Sequence, residues 1–131
     1  MRLLLVFLVV VALVFGAIAA AIVLTQPNER AFVVVDGSFP MRAVWGQVPG
    51  ILDDIEGEGY AEVALATEKD LVHSWQPRFE LRAPDPYAPC DFSEIEAYAE
   101  AQEADARVLV TTSGSCPTDE LAGWEVRTLE P

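Results

Sequence analysis

The chain has little from which to build a metal or redox centre: one histidine and two cysteines in 131 residues. Cys90 and Cys116 are not a CxxC pair, and with a lone histidine they make structural zinc and thioredoxin-type chemistry poor fits. Basic residues are also scarce, eight Lys and Arg against 21 Asp and Glu. Seven of the eight basic residues and all 21 acidic ones lie beyond residue 24, which gives that part a formal charge of −14. A surface so acidic argues against nucleic acid and against docking on anionic lipid, both of which need basic patches. The acidic residues are scattered rather than blocked, so a solvated surface explains them first and cation binding second. No GxSxG is present around any serine, and His73 has no paired nucleophile in a recognisable motif. A catalytic triad or a histidine general base is therefore not expected, and His73 reads as a polar position on a hairpin.

What the chain does have is one long apolar run. Residues 3–24, LLLVFLVVVALVFGAIAAAIVL, are uncharged and follow the single Arg2. As a helix of ~1.5 Å per residue the run is about 33 Å long, enough for a hydrocarbon core of ~30 Å. A secretory signal core is usually about 7–15 residues, and Ala17-Ile18-Ala19 or Ala19-Ala20-Ala21 would offer cleavage sites. The run continues past those alanines through Ile22, Val23 and Leu24, which favours an uncleaved signal-anchor over a clipped signal and a secreted product. Arg2 and the amino terminus hold the short side in the cytoplasm, placing the rest outside. Ala12, Gly16 and Ala20 repeat every four residues, a spacing that lets helices approach closely, although an unpartnered anchor is the commoner case. The division is residues 1–24 as transmembrane helix, 25–30 as linker and 31–131 as one small acidic domain. Outside the cytoplasm a Cys90–Cys116 disulfide is expected, with two free thiols as the alternative.

Within the domain, Ala31–Val35 (AFVVV) is a continuous β-branched and aromatic run, the pattern of a strand buried on both faces. Met41, Val44, Trp45, Val48, Ile51, Leu52 and Ile55 then fall on a helical stripe. Ser38 could cap it, Pro49-Gly50 should kink or split it, and Gly57 and Gly59 stop it. Tyr60–Thr67 and Leu71–Trp75 read as a hairpin about Lys69-Asp70, with a helix as the rival pattern. Arg82–Pro89 carries three prolines and is loop. Asp91 or Ser93 caps a helix over Glu94–Ala104, Arg107–Thr112 is a second buried-type strand, Thr118–Ala122 makes a helical turn, and Trp124–Leu129 alternates as a last strand. Trp45, Trp75 and Trp124 each sit on an apolar stripe or strand and read as core. The order predicts an α/β fold, a small mostly parallel sheet flanked by helices and preceded by one transmembrane helix. In such sheets ligands bind beyond the carboxyl ends of the strands. Asp36, Ser38, Ser113 and Ser115 fall there by chain order, as do Cys90 and Cys116, whose bridge would staple the proline loop over that edge.

VVVDGS (Val33–Ser38), the following helix, the hairpin EVALATEKDLVHSW (Glu62–Trp75), VLVTTSG (Val108–Gly114) and the closing WEVRTL together resemble a von Willebrand factor type A domain in short form. The resemblance implies an adhesion module whose metal-ion-dependent site uses a DxSxS loop. Asp36 and Ser38 match the first two members of that loop; Pro40 stands in place of the last serine, and Thr111–Gly114 offers no counterpart to the family's later aspartate. A Mg²⁺ or Ca²⁺ ion wants several oxygens with one or two carboxylates. Asp36 with Ser38 and Ser113 would be the metal ligands, and Ser115 could add a hydroxyl; Asp36-Gly37-Ser38 as a plain turn is the alternative. Asp53, Asp54, Glu56 and Glu58 read as the solvated face of a helix.

Two expectations follow. The first is a non-enzymatic, membrane-anchored extracytoplasmic binding module without a cofactor, meeting a protein partner through the loop edge around Ser38, Pro86-Tyr87 and Ser113. The second is a divalent-metal-dependent adhesion-type module. An enzyme would require Asp36 or His73 to act as a base in a pocket.

Overall fold

The computed structural model describes residues 1–25 and 28–131, the side chains of 23–25 excepted. The apolar run is a single helix, α1 (Arg2–Thr25). It is long and apolar enough to cross a membrane, and over Arg2–Ile22 none of it is buried against the rest of the chain. That exposure marks it as a signal or anchor segment rather than a core helix. Gln26 and Pro27 of the expected linker lie outside the described residues, and Arg30, expected to end the linker, already opens β1 (Arg30–Val35).

The domain is α/β. The remaining strands are β2 (Glu62–Thr67), β3 (Leu71–Gln76), β4 (Ala106–Thr112) and β5 (Glu125–Leu129). They form one five-stranded sheet in the order β3-β2-β1-β4-β5. β1 pairs in parallel with β2 (Phe32 beside Ala64) and with β4 (Val33 beside Val108), and β4 pairs in parallel with β5. Only the edge strand β3 is antiparallel, closing the hairpin read from Lys69-Asp70.

β1 is fully buried from Ala31 to Val35 because both faces of the sheet are covered. Val33, Val35, Leu65, Val108 and Val110 point one way, onto Met41, Val44, Val48, Leu52 and Ile55. Phe32, Val34, Ala64, Ala66 and Leu109 point the other way, onto Phe92, Ile95, Ala101 and Trp124. Alternation along each strand thus feeds two cores, and the continuous apolar run records that double burial.

The first helical stripe is divided, as its prolines require. Phe39–Ala43 and Trp45–Gln47 are 3₁₀ turns, and α2 (Val48–Glu56) starts with Pro49 in its first turn, where a missing N–H costs nothing. Gly57 ends α2, and Gly59, at φ 89°, supplies the left-handed residue that turns the chain into β2. The helix expected over Glu94–Ala104 is shorter: a 3₁₀ turn at Ile95–Ala97 and α3 (Ala99–Glu103), broken at Tyr98 with φ −62° and ψ 136°. Packing explains the break. In that extended conformation the Tyr98 ring lies edge-on to Phe32 (5.6 Å between centroids) and its hydroxyl donates to the Thr67 carbonyl at 2.8 Å. The helical turn expected over Thr118–Ala122 is a series of plain turns. Trp124 is core; Trp45 is partly buried against the first core, and Trp75 is partly buried beneath the Arg30 guanidinium.

Candidate functional site at the carboxyl edge of the sheet

From β1 the chain crosses to β2 on one side, then returns past β1 to β4 on the other. The strand order therefore reverses between β1 and β4, and the chain segments leaving their carboxyl ends part in opposite directions. A crevice opens at such a point in a parallel sheet. Asp36 leaves β1 there, with its N–H donating to the Val110 carbonyl of β4 at 2.8 Å.

The Asp36 side chain is fully buried, and its oxygens are occupied. Oδ1 accepts the Ser38 N–H at 2.8 Å, a local Asx turn. Oδ2 accepts the Thr111 hydroxyl at 2.7 Å and the Ser115 hydroxyl. Ser38 does not cap the following turn; its hydroxyl lies 3.1 Å from that of Ser115. The structure thus brings together Asp36, Ser38, Ser115 and Thr111. Ser113 lies elsewhere: it is exposed and donates to the Glu130 carboxylate at 3.0 Å, because the turn after β4 points it outward and Ser115 inward.

Cys90 and Cys116 are bridged, with Cα atoms 5.8 Å apart. The bridge does staple the proline loop to this edge. Cys90 Sγ lies 3.1 Å from Ser115 Oγ and receives the Cys116 N–H at 3.1 Å, so the disulfide and Asp36 meet at Ser115. Farther back in the loop, Tyr87 N–H donates to Gly37 O and Phe39 N–H to Ala88 O, both at 3.0 Å. Arg42 completes the join: Nε donates to Pro86 O at 2.7 Å while the guanidinium covers the Phe39 ring.

Glu68 was not singled out by the sequence. It follows β2, is only 6 % exposed, and accepts the Gly37 N–H through Oε2 at 2.6 Å. Its Oε1 is buried without a hydrogen-bond partner. Burial pushes its carboxyl above the usual range; the Gly37 N–H opposes this, and the neighbouring Asp36 charge adds to the rise. Its position after a strand's carboxyl end, by the rule that placed Asp36, is the signal that could have found it.

Beside Glu68 a cleft of about 180 Å³ is lined by Gly37, Lys69, Leu71, Val72, Arg82 and Tyr87, among others. Beyond α1, the exposed large apolar side chains among the described residues are Phe39 (49 %), Leu71 (40 %) and Tyr87 (50 %). All three belong to this edge. Ser38 and Pro86, expected on the contact surface, are buried beneath it.

His73 sits apart on β3, with Nδ1 2.8 Å from Ser74 O and Nε2 accepting the Glu80 N–H at 3.1 Å. Among the described residues no group of three or more His, Cys, Asp or Glu is placed to hold a metal ion. The oxygens at Asp36 suit a hard cation in part: one carboxylate with the Ser38 and Ser115 hydroxyls, and Glu68 beside them. No family model matches the sequence, and neither a curated protein nor a solved structure is significantly similar to it.

Proposed function

We propose that the chain is a membrane-anchored, extracytoplasmic binding module without enzymatic activity. α1 stays in the membrane with its amino terminus in the cytoplasm, and the domain offers the carboxyl edge of its sheet to a protein partner. One observation supports this above the rest: the exposed large apolar side chains beyond α1, Phe39, Leu71 and Tyr87, gather at one edge of a domain otherwise covered in charge. Contiguous exposed apolar groups rimmed by polar ones mark interaction surfaces. The backbone beneath them is fixed by the Gly37–Tyr87 and Phe39–Ala88 hydrogen bonds, so the face is preformed and little ordering is lost on binding.

A photo-crosslinking residue placed at Tyr87 in the full membrane-embedded chain tests the reading. A discrete protein adduct is expected from position 87 and none from Asp54, on the solvated face of α2. The adduct should disappear in a Phe39→Ser, Leu71→Ser double variant. Equal labelling from both positions would refute it.

The buried, unpaired Glu68 Oε1 beside Asp36 favours a second reading, the von Willebrand factor type A-like module. Asp36, Ser38 and Ser115 would hold a divalent cation, which would supply positive charge to attract a partner's carboxylate. A ligand that binds only the folded state raises the melting point. Mg²⁺ or Ca²⁺ should then raise that of the full chain and leave Asp36→Ala unmoved.

A further inference from the structure

The Cys90–Cys116 disulfide lies between two different surroundings. On one side, Cys90 Sγ faces Ser115, whose hydroxyl also reaches the fully buried Asp36 carboxylate. On the other, Cys116 lines a cleft of about 300 Å³ with Phe92, Ser93, Glu96, Pro117, Glu120 and Leu121, and Cys90 is not on its wall. The two sulfurs also differ in what holds them. Cys90 Sγ receives the Cys116 amide hydrogen at 3.1 Å; among the described residues no donor reaches Cys116 Sγ.

We infer that this bridge is a thiol-exchange site, opened by a thiol that enters the cleft and attacks Cys116, with Cys90 as the leaving sulfur. Exchange proceeds by a thiolate on one sulfur of the bond, and it runs faster when the departing sulfur is the better stabilised anion. Access and stabilisation agree in choosing the same direction. The cleft admits the attacker to Cys116, whereas Cys90 is not on its wall. As the S–S bond breaks, the electron pair passes to Cys90, where the Cys116 N–H already points. The Ser115 hydroxyl, shared with Asp36, also lies 3.1 Å from that sulfur.

The co-reactant is a dithiol. Its first thiolate forms a mixed disulfide with Cys116, and Cys90 takes a proton from solvent. Its second thiolate then displaces Cys116, which is protonated in turn. The dithiol leaves as a disulfide, and the protein gains two electrons and two protons. The loops at 83–92 and 113–118 then lose their covalent join, which holds whether or not the neighbouring face binds a partner.

The full chain in detergent, treated with a monothiol such as cysteamine and then acid-quenched and alkylated with iodoacetamide, shows which sulfur was attacked. The expected product, mapped by mass spectrometry, carries cysteamine on Cys116 and the alkyl group on Cys90. Most adduct on Cys90, an even division, or no reaction until denaturant is added would each overturn the inference. Ser93→Trp, which fills the mouth of the cleft, should slow the reaction about tenfold, since exchange rates follow access. The same rate in that variant would overturn the entry route. Thr111→Ala, which removes a different Asp36 hydroxyl, should leave both rate and product unchanged.

Discussion

Replacing Asp36 tests the idea that one carboxylate knits β1 to the segment after β4. Asp36→Ala leaves the Ser38 N–H and the Thr111 hydroxyl without their acceptor, and both residues are buried. Each stranded buried donor costs about 1–3 kcal/mol. The Ser115 hydroxyl is half-buried and can turn to water, so it adds little. Removing the carboxylate also abolishes the cost of burying a charge, and water can enter from the Ser115 side, which places the net loss in the lower half of that sum, about 3 kcal/mol. Asp36→Asn should cost less. Its Oδ1 still accepts from Ser38, and its amide can donate to the two hydroxyls once they rotate to accept. What is lost is the charge assistance, about 1 kcal/mol. Urea unfolding followed by tryptophan fluorescence reads the effect selectively, because Trp45, Trp75 and Trp124 all lie in the domain and α1 has none. At a slope of about 1–3 kcal/mol per molar urea, the alanine variant should unfold about 1–3 M earlier. An alanine variant within 1 kcal/mol of wild type, or an asparagine variant worse than alanine, would refute the reasoning.

Three further outcomes are expected. Replacing both cysteines with serine should cost about 3–4 kcal/mol by the loop-entropy model for a separation of 26 residues, measured by the same urea titration. Glu68 has a folded pKa raised above its usual 4.5, so its contribution to stability is fully present below that value and is lost as pH rises through the folded pKa. Melting temperatures measured from pH 4 upward should therefore fall less steeply just above that value in Glu68→Gln than in wild type, and parallel curves would refute the assignment. Burial, helped by the nearby Asp70 and Glu68 charges, pushes the Tyr98 hydroxyl from 10.0 up to about 12. Its contribution is then present below pH 10.0 and lost between there and about 12, so Tyr98→Phe should show a shallower alkaline decline in melting temperature.

The fold was legible because it is written in periodicity. AFVVV and RVLVTT read as strands buried on both faces and the residues from Met41 to Ile55 as a helical stripe, and the structure packs that stripe on one face of the sheet that holds both strands. The helix over 94–104 was misjudged at Tyr98 for a physical reason: nothing local forbids helix there, and the conformation is decided by Phe32 and Thr67, distant in sequence. The site was half legible. Chain order placed Asp36, Ser38, Ser113 and Ser115 at one edge, but which of the two serines in the turn after β4 points inward is a property of its backbone. Glu68 looked like one acid among 21; its place just after β2 was the one signal, and its contact with the Gly37 N–H is a tertiary one that no spacing announces.

The carboxyl edge has two unlike halves, and the division follows from topology. Between β1 and β4 the chain leaves in opposite directions, so no secondary structure closes that gap. Asp36, the three hydroxyls and the disulfide close it instead, and in doing so they use up their own polar atoms. Groups so occupied hold the scaffold in place but have little left to offer a partner. On the β2 side the hairpin closes the sheet by itself, no such lock is needed, and Leu71 and Tyr87 stand exposed. Rigid backbone on one side of Gly37 and exposed apolar surface on the other is the arrangement on which the proposed recognition face rests. It separates two kinds of variant: changes at Asp36 should act on stability first, whereas Tyr87→Ser should leave the unfolding free energy from urea titration within about 0.5 kcal/mol of wild type, as surface substitutions do. A Tyr87 change that instead unfolds the domain would mean that the ring is part of the lock and that the two halves are not divided there.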